Sequence, residues 1–373
     1  SPGMVLVVML ISMVAGSICM NKVAPVLTNI VSDLAIANST LSGMLMSIFV
    51  ISGIFLSIPM GMLTTKYGTF KTGLFSLAAI IIGSSMGAVA GNYTLLLVSR
   101  MVEGIGLMFL ATIGPAAVAS MCFMSFGQII ALNLAPVMAA SGTWRNFWWF
   151  SAGFGAVGMV LWVIFIKGID DGADGAAAQE SSVGATLGDV LANKGVWLVC
   201  ITFFAYMITH MGVFNYLPTY LTEVGGISAT LAGTLTSVAS LIGIPVGIVG
   251  GMIADKWGSR KKPLAITMIL FAVLIGTIPM FNSSNFIILL VLYGIVAMAE
   301  AGLCFTSVTE VVKANQGSSA SAVLNTAQWL GAFLSTMIFG TLLDSFGWST
   351  SFYVMVPIAL VGAAAALCNK DLK

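Results

Sequence analysis

Apolar residues form long runs from one end of the chain to the other, and short polar or glycine-containing segments separate the runs. A helix needs about 20 apolar residues to cross a membrane. Barrel strands instead alternate apolar and polar residues in pieces of about ten. The pattern therefore predicts an all-α membrane protein with twelve transmembrane helices, called spans 1 to 12. We place them at residues 4–31, 40–63, 72–91, 94–121, 124–141, 146–167, 193–221, 228–253, 263–281, 285–311, 318–342 and 349–369.

One long polar segment, residues 168–192, interrupts this pattern. Five acidic residues lie in it among glycine, alanine and serine: Asp170, Asp171, Asp174, Glu180 and Asp189. Such a composition is typical of a solvated, flexible linker. The segment divides the chain into an N-terminal six-helix bundle, residues 1–167, and a C-terminal six-helix bundle, residues 193–373.

Composition narrows the class of protein further. Hydrophobic residues make up 59% of the 373 residues and charged residues 7%, whereas soluble domains carry about 25% charged residues. A net charge of +1 provides no basic surface for nucleic acid. The five cysteines and the single histidine show no metal-ligand or disulfide spacing. We expect no enzyme, no catalytic residues, no metal, no cofactor and no nucleic-acid partner.

The distribution of Lys and Arg predicts the orientation in the membrane. Eleven of the 14 basic residues fall on one side of the bilayer if both termini share that side, and the positive side faces the cytoplasm. The first apolar run is longer than a signal peptide core and lacks a cleavage site, so we expect a retained span. The chain is predicted to be a multi-pass protein of the bacterial inner (plasma) membrane with both termini in the cytoplasm.

The two halves repeat each other. An offset of 190 in the numbering aligns Asp33 with Glu223, Gly53 with Gly243 and Lys66 with Lys256, among other matches in one register. Internal repeats are typical of secondary transporters, which place the substrate site near the midplane between the repeats. No P-loop motif occurs, so the energy for transport is expected from ion or substrate gradients.

The repeat register changes within the N-terminal half. The offset is 193 between Asn92 and Asn285 but 204 between Trp144 and Trp348, so the N-terminal half is the shorter one between spans 4 and 6. The segment at Met121–Met124 has no charge or turn signal where a cytoplasmic loop is expected. We predict that a loop's worth of residues is missing there.

Two predicted cytoplasmic loops carry a shared motif. The segments Gly61–Lys71 and Gly251–Lys261 resemble the loop motif of the major facilitator superfamily, and Thr65 replaces the acidic residue in the first copy. Glycines permit a tight turn and a close approach of helices. In this superfamily the motif locks the cytoplasmic gate, which implies a gating role for Gly61, Gly68, Gly251, Asp255, Gly258 and Arg260.

Other segments extend the resemblance over the whole chain. Ser99–Gly106 resembles the span-4 motif of the superfamily, with Arg100 and Gly104, and Thr143–Phe150 resembles its entry into span 6. Further segments in spans 1 and 2 look similar to the cyanate-permease and nitrate-porter-like bacterial branch. The arginines and the glycine-rich run of nitrate porters are absent. The resemblance implies alternating access around a cavity lined by spans 1, 4, 7 and 10.

Five ionisable residues lie inside predicted spans, away from the span ends. An ionisable side chain at the centre of a membrane helix costs about 2.5–3.5 kcal/mol on insertion scales, so function is a candidate reason for retaining it. All five lie on spans 1, 4, 7 and 10: Lys22, Arg100, Glu103, His210 and Glu300.

Each of these residues has a functional and a structural interpretation. Removal from water favours the neutral form of a carboxyl group, so Glu300, with Glu103 and His210, is predicted to carry a coupled proton. Lys22 and Arg100 are predicted to bind substrate. In the structural alternative, Glu300 and His210 each form hydrogen bonds that only stabilise the fold. Lys22 then reaches the outer membrane interface, and Arg100 and Glu103 form an i,i+3 ion pair.

The neighbouring polar residues Asn21, Asn215, Tyr216 and Tyr293 are predicted to line the same cavity. We expect a monomeric secondary transporter of a small organic anion, with the lipid bilayer as its environment and protons as co-substrate in symport. The alternatives are proton-coupled efflux of an amphipathic drug or cation, and a channel, scramblase or non-transporting membrane protein.

Overall fold

A computed structural model describes residues 2–113, 117–167, 187–297 and 299–372. In these residues the ordered elements are helices, without a β-strand, and helices cover each of the twelve predicted spans. The all-α prediction is therefore confirmed.

The N-terminal half contains spans 1 to 6. Span 1 consists of the helix Pro2–Asn21, a 3-10 turn at Ala24–Val26 and the helix Leu27–Asp33. Span 2 begins with Ser39–Ser47 and the 3-10 turn Ile48–Val50. The helix Ile51–Ala88 contains the rest of span 2 and, beyond a kink, span 3. Spans 4, 5 and 6 are Tyr93–Ile113, Ala117–Ala140 and Arg145–Phe165.

The C-terminal half contains spans 7 to 12 and follows a short helical stretch at residues 187–192. Spans 7 and 8 are Lys194–Glu223 and Ala229–Trp257. Span 9 is Lys261–Thr277 with a 3-10 turn at Ile278–Met280. Span 10 consists of Phe286–Ala297 and Glu300–Glu310. The helix Gly317–Cys368 contains spans 11 and 12, separated by a kink.

Glycines with positive φ lie at the turns after spans 2 and 8. Gly68 (φ 80°) breaks the helix between spans 2 and 3, and Gly258 (φ 61°) ends span 8. L-residues with side chains rarely adopt this backbone conformation. The two glycines are related by the repeat offset of 190, so both copies of the loop motif turn at the same position of the repeat.

The boundary between spans 4 and 5 differs from its prediction. The helix of span 4 ends at Ile113, and the next helix begins at Ala117 and continues through Met121–Met124. With a rise of about 1.5 Å per residue, these helices of 21 and 24 residues are each long enough to cross a bilayer. Gly114 and Pro115 lie between them and outside the described residues, and they are the sequence signal that the prediction overlooked. Missing residues near Met121–Met124 stay a prediction.

Contacts between α-carbons divide the chain into two compact units. Unit 1 contains Ser1–Ala178 and Ser228–Ser237, and unit 2 contains Gln179–Ile227 and Val238–Lys373. The predicted domain boundaries at residues 167 and 193 stay a prediction, because residues 168–186 of the linker lie outside the described ones. Within unit 1, Thr234 Oγ1 donates to Asn133 Oδ1 at 2.9 Å.

The surfaces of the helices are suited to lipid. Within the described part of the chain, eight helical segments are long and apolar enough to cross a membrane. Large apolar side chains lie exposed on them, including Ile82, Val273 and Phe346. An exposed apolar surface of this extent is unfavourable in water but matches the tails of a bilayer.

Candidate functional site

Span 1 is broken near its middle, and Arg100 of span 4 lies against the break. The first helix ends at Asn21, and Pro25 has no N–H with which to continue the helical hydrogen bonds. Arg100 Nη1 donates to the carbonyl oxygen of Cys19, and Nη2 donates to that of Met20 at 3.2 Å. A cation at a helix C-terminus is favoured by the helix dipole, so Arg100 caps the first part of span 1.

Lys22, Arg100 and Glu103 form one buried cluster in unit 1. Glu103 Oε1 lies 2.5 Å from Lys22 Nζ, and its Oε2 lies 2.5 Å from Arg100 Nη1. Ser84 of span 3 donates to the same Oε1 at 2.8 Å. All three charged side chains have 0% exposure. The predicted i,i+3 pair between Arg100 and Glu103 is present, and Lys22 does not reach the outer interface.

This N-half cluster contains two cations and one carboxylate. Carbonyl oxygens and aromatic faces partly compensate the second positive charge. Lys22 Nζ lies 4.5 Å from the ring centre of Trp148, and the Arg100 guanidinium lies 4.7 Å from the ring centre of Phe49. Among the described residues, Arg100 Nε and Trp148 Nε1 are buried without a hydrogen-bond partner. The cluster therefore keeps an excess of positive charge and of hydrogen-bond donors.

His210 and Tyr293 form the corresponding contact in unit 2. The Tyr293 hydroxyl lies 3.0 Å from His210 Nδ1 and donates to the backbone oxygen of His210 at 3.2 Å. Tyr206 stacks on the imidazole with ring centres 5.1 Å apart, and Phe214 and Phe271 approach it at 5.6 and 6.3 Å. The only histidine of the chain is thus enclosed by aromatic rings.

Glu300 lies within span 10 and is 1% exposed. In the same span, the carbonyl of Ala297 accepts a hydrogen bond from the hydroxyl of Tyr206 at 2.7 Å. Glu300 Oε2 accepts a hydrogen bond from Thr267 of span 9, and its Oε1 lies 3.9 Å from Cys304 Sγ. Within the described residues this carboxyl has no cationic partner.

The repeat relates the contacts of the two halves. The offset of 190 pairs Met20 of span 1 with His210 of span 7. In both halves, the side chain from span 4 or 10 donates at 3.2 Å to the backbone oxygen of the paired residue on span 1 or 7. The contact between the two helices is repeated, but its donor is a charged guanidinium in the N-terminal half and a neutral hydroxyl in the C-terminal half.

The remaining predicted cavity residues lie apart from these contacts. Asn21 Oδ1 accepts a hydrogen bond from Gln128 Nε2 at 3.2 Å, and Asn215 Nδ2 donates to the Met211 carbonyl of its own helix at 2.8 Å. Tyr216 stacks on Phe339 and Trp348 and is almost fully buried. Their assignment to the substrate site stays a prediction.

The predicted gating residues are only partly described. Gly68 and Gly258 form turns with positive φ, and Arg260 Nε lies 2.9 Å from Glu310 Oε1 at the end of span 10. The surroundings of Gly61, Gly251 and Asp255 lie outside the described side chains. A gating role therefore stays a prediction for this set.

Sequence reasoning missed several partners of the ionisable residues. Ser84, Trp148, Thr267 and Tyr206 contact them from spans 3, 6, 9 and 7. A single polar or aromatic residue in an apolar run does not reveal which neighbouring helix it faces.

The paired helical halves and the repeated loop turns agree with a comparison against protein-family models. The model of the Major Facilitator Superfamily matches residues 5–336 and, in a second match, residues 226–370. The chain belongs to the major facilitator superfamily. The resemblance read from the loop motifs and from span 4 is thereby confirmed.

Individual relatives in the superfamily match at low identity. The chain is 27% identical to the phosphoglycerate transporter protein of Salmonella typhimurium over 172 residues, which are 45% of this chain and 37% of that protein. It is 25% identical to the nitrite extrusion protein of Bacillus subtilis over 370 residues, 94% of this chain and 90% of that protein. The chain thus spans little more than a third of the first of these relatives.

A solved structure shows the same fold. A crystal structure of a bacterial homologue of the human lysosomal transporter Spinster, in an inward-facing and occupied conformation, superposes with a TM-score of 0.78. The match covers 99% of this chain and 98% of that one at 15% sequence identity. At this identity the match concerns the fold alone.

Proposed function

We propose that this major facilitator chain is a secondary transporter that moves a small organic anion by alternating access, in symport with protons. The observation that carries the proposal is the N-half cluster, where Lys22 and Arg100 share the single carboxylate of Glu103 without exposure to solvent. Buried charges are costly unless paired, so an excess cation there is suited to a negatively charged ligand.

Glu103 acts in this proposal as an internal counter-anion. It occupies the positions on Lys22 and Arg100 that a substrate carboxylate or phosphate would take, at 2.5 Å from each cation. An entering anion competes with Glu103 for the two cations. Glu103 then loses its partners, and a carboxyl group without cationic partners in an apolar environment takes up a proton. Anion binding and proton binding are coupled by this exchange.

Glu300 and His210 provide further proton-binding groups in the C-terminal half. Glu300 is buried beside Thr267 and Cys304, and among the described residues no cation balances its charge. Protonation therefore removes the cost of burying it. Co-transport of one proton with a monovalent anion moves no net charge, which lets the substrate cross against a negative membrane potential.

The support that the relatives give for an anionic substrate comes only from their names. One is called a phosphoglycerate transporter and another a nitrite extrusion protein, and both names denote anions. The second name denotes outward transport in that protein, while we propose uptake here. We also propose a monomer in the bacterial inner membrane with both termini in the cytoplasm, on the distribution of basic residues.

Efflux of a cation is less favoured by the same contacts. That alternative requires Glu103 and Glu300 to bind a positively charged drug. Glu103 is already bound by two cations of its own half, so a drug cation would have to displace both. Counterflow in proteoliposomes separates a carrier from a channel or scramblase, because only a carrier exchanges labelled for unlabelled substrate without net flux.

The test uses proteoliposomes that contain a trapped pH-sensitive dye and are held at zero membrane potential. We add membrane-impermeant carboxylates, sulfonates and phosphate esters one at a time, beginning with 3-phosphoglycerate. The expected result is acidification of the interior that depends on the anion and is absent from protein-free liposomes. Failure of every anion in the panel to move protons would contradict the proposal.

Variants at Lys22 test the site itself. Lys22→Met retains the volume of the side chain and leaves Arg100 and Glu103 as a balanced pair, so the protein is expected to fold. We expect its half-saturating anion concentration to rise at least about tenfold, which corresponds to about 1.4 kcal/mol. The control is Lys194→Ala, which alters an exposed lysine at the start of span 7. Unchanged anion affinity in Lys22→Met would contradict an anion site at Lys22.

A further inference from the structure

The hydroxyl of Tyr293 faces two atoms of one residue. It lies 3.0 Å from Nδ1 of His210 and 3.2 Å from the backbone oxygen of the same residue. A tyrosine hydroxyl can donate one hydrogen bond and accept others, and a neutral imidazole carries its proton on one of two nitrogens. Two arrangements of protons therefore fit the same positions of the heavy atoms.

The two arrangements differ in the hydrogen bonds that they form. If the proton of His210 is on Nδ1, the imidazole donates to the oxygen of Tyr293, and Tyr293 donates to the carbonyl. If the proton is on Nε2, Tyr293 donates to Nδ1 and the bond to the carbonyl is lost. The first arrangement makes one more hydrogen bond than the second, and each such bond favours the arrangement that forms it.

The surroundings of Nε2 favour the first arrangement as well. Among the described residues, no group forms a hydrogen bond with His210 Nε2, and the rings of Tyr206, Phe214 and Phe271 lie around the imidazole. A proton on Nε2 would have no acceptor among these residues, whereas a proton on Nδ1 has the Tyr293 hydroxyl as its acceptor. A lone pair on Nε2 leaves only an acceptor unused.

The N-terminal half gives an independent argument for the bond to the carbonyl. Arg100 of span 4 donates to the oxygen of Met20, which the offset of 190 aligns with His210. Arg100 has no acceptor function, so the direction of its hydrogen bond is certain. The corresponding carbonyl in the C-terminal half is thus placed to accept the hydroxyl proton of Tyr293.

We infer that Tyr293 is a positioning residue that holds His210 in the tautomer protonated on Nδ1 and leaves Nε2 as the nitrogen at which the ring takes up a proton. The hydrogen bond of one ring nitrogen commonly sets the state of the other. Uptake of a proton at Nε2 then requires no rearrangement of Tyr293, because Nδ1–H and the hydroxyl keep their acceptors. This inference rests on the proposed function only for the use of that proton in transport.

The chain offers a direct measurement because His210 is its only histidine. Protein labelled with 15N-histidine gives signals from one imidazole, and their chemical shifts identify which nitrogen carries the proton. We expect purified wild-type protein at neutral pH to show a protonated Nδ1 and an unprotonated Nε2. A proton on Nε2 in the wild type would overturn the inference.

Two phenylalanine variants separate positioning from packing. Tyr293→Phe keeps the ring but removes the acceptor of Nδ1–H, so we expect the proton to move to Nε2, wholly or in part. Tyr206→Phe removes a hydroxyl from the same aromatic group, but that hydroxyl is bonded to Ala297, so the Nδ1–H tautomer should remain. An unchanged tautomer in a folded Tyr293→Phe would overturn the role of Tyr293.

The spectrum of the wild type decides the tautomer even if Tyr293→Phe does not fold. It is also independent of transport. The Nδ1–H tautomer together with absent proton-coupled anion uptake would contradict the proposed function and leave the assignment of Tyr293 intact. Proton-coupled uptake together with an Nε2–H imidazole would do the reverse.

Discussion

The two halves of this chain use different side chains for corresponding contacts between helices, span 4 with span 1 and span 10 with span 7. In the N-terminal half, a guanidinium of span 4 binds carbonyls at the break of span 1 and belongs to a group of three charges. In the C-terminal half, a tyrosine of span 10 binds the carbonyl of a histidine in span 7, among aromatic rings. The difference indicates that the repeat preserves where neighbouring helices meet, while charge is concentrated in one half.

Span 1 differs from span 7, its counterpart in the repeat. Span 1 is broken after Asn21, whereas span 7 is one helix from Lys194 to Glu223. Arg100 of a neighbouring helix binds the carbonyls of Cys19 and Met20 at this break. The break lies beside Glu103, the carboxyl group that we assign to proton binding in the N-terminal half.

The largest difference in stability between variants of the two halves is expected when each buried carboxylate is replaced by an amide. Glu103→Gln leaves Lys22 and Arg100 without a counter-charge, and loss of one partner of a buried ion pair costs about 3–5 kcal/mol. Glu300→Gln keeps an acceptor for Thr267 and removes no ion pair, so it should cost less than about 1.5 kcal/mol. The measurement is the free energy of unfolding in mixed micelles.

The exposed Glu223 at the end of span 7 provides the control, because Glu223→Gln affects no buried charge. Equal losses of stability in Glu103→Gln and Glu300→Gln would contradict the contrast between a carboxyl group held in ion pairs and one without a cationic partner among the described residues.

A smaller difference is expected where helices approach most closely. The offset of 190 relates Gly104 of span 4 to Gly294 of span 10, and it also relates their neighbours Phe49 and Ala239. A Cβ added at Gly294 would lie 2.6 Å from the oxygen of Ala239, and one added at Gly104 would approach the oxygen of Phe49 more closely still. Overpacking costs about 1–3 kcal/mol, so both alanine variants should be destabilised, Gly104→Ala more strongly.

The control for the glycine variants is Gly153→Ala in span 6, where an added Cβ meets no atom within 4 Å. It should be neutral or slightly stabilising, because alanine is favoured in helices. Thermal unfolding in detergent ranks the three variants, and a more stable Gly104→Ala than Gly294→Ala would contradict this account of helix packing.

The smallest difference is expected at the outer ends of spans 1 and 7. Asp33 accepts from Trp144 at 3.1 Å and pairs with Arg145 at 2.6 Å, while Glu223 accepts from Trp348 at 3.3 Å. Both carboxylates are exposed, so Asp33→Asn should cost about 0.2–1 kcal/mol and less at high salt. Glu223→Gln should cost less than Asp33→Asn.

Thermal melts at low and high salt check this last prediction. A loss in Asp33→Asn that does not change with salt would show that the ion pair with Arg145 is not its source.

The candidate site was only partly accessible to sequence reasoning. The five ionisable residues stood out because charges are rare in apolar runs, and the i,i+3 spacing predicted the pair of Arg100 and Glu103. The pairing of Lys22 with Glu103 was not predicted, because these residues are 81 positions apart and sequence periodicity gives no distance between helices. For the same reason, Thr267 was not recognised as the partner of Glu300.

The sequence by itself determined the class of the protein, its twelve spans, its repeat and its superfamily. These features follow from runs of apolar residues and from local motifs, because a bilayer requires each segment to satisfy its own backbone hydrogen bonds as a helix. The end of span 4 was misplaced, because the prediction followed the apolar stretch past Gly114 and Pro115.

Only the tertiary structure decided which buried groups meet. It joined Lys22 to Glu103 within the N-terminal half and Tyr293 to His210 within the C-terminal half. The rotation of each helix about its axis sets such contacts, and packing between small side chains and neighbouring helices controls that rotation. A residue's own sequence neighbours do not contain this information, because all of them lie on the same helix.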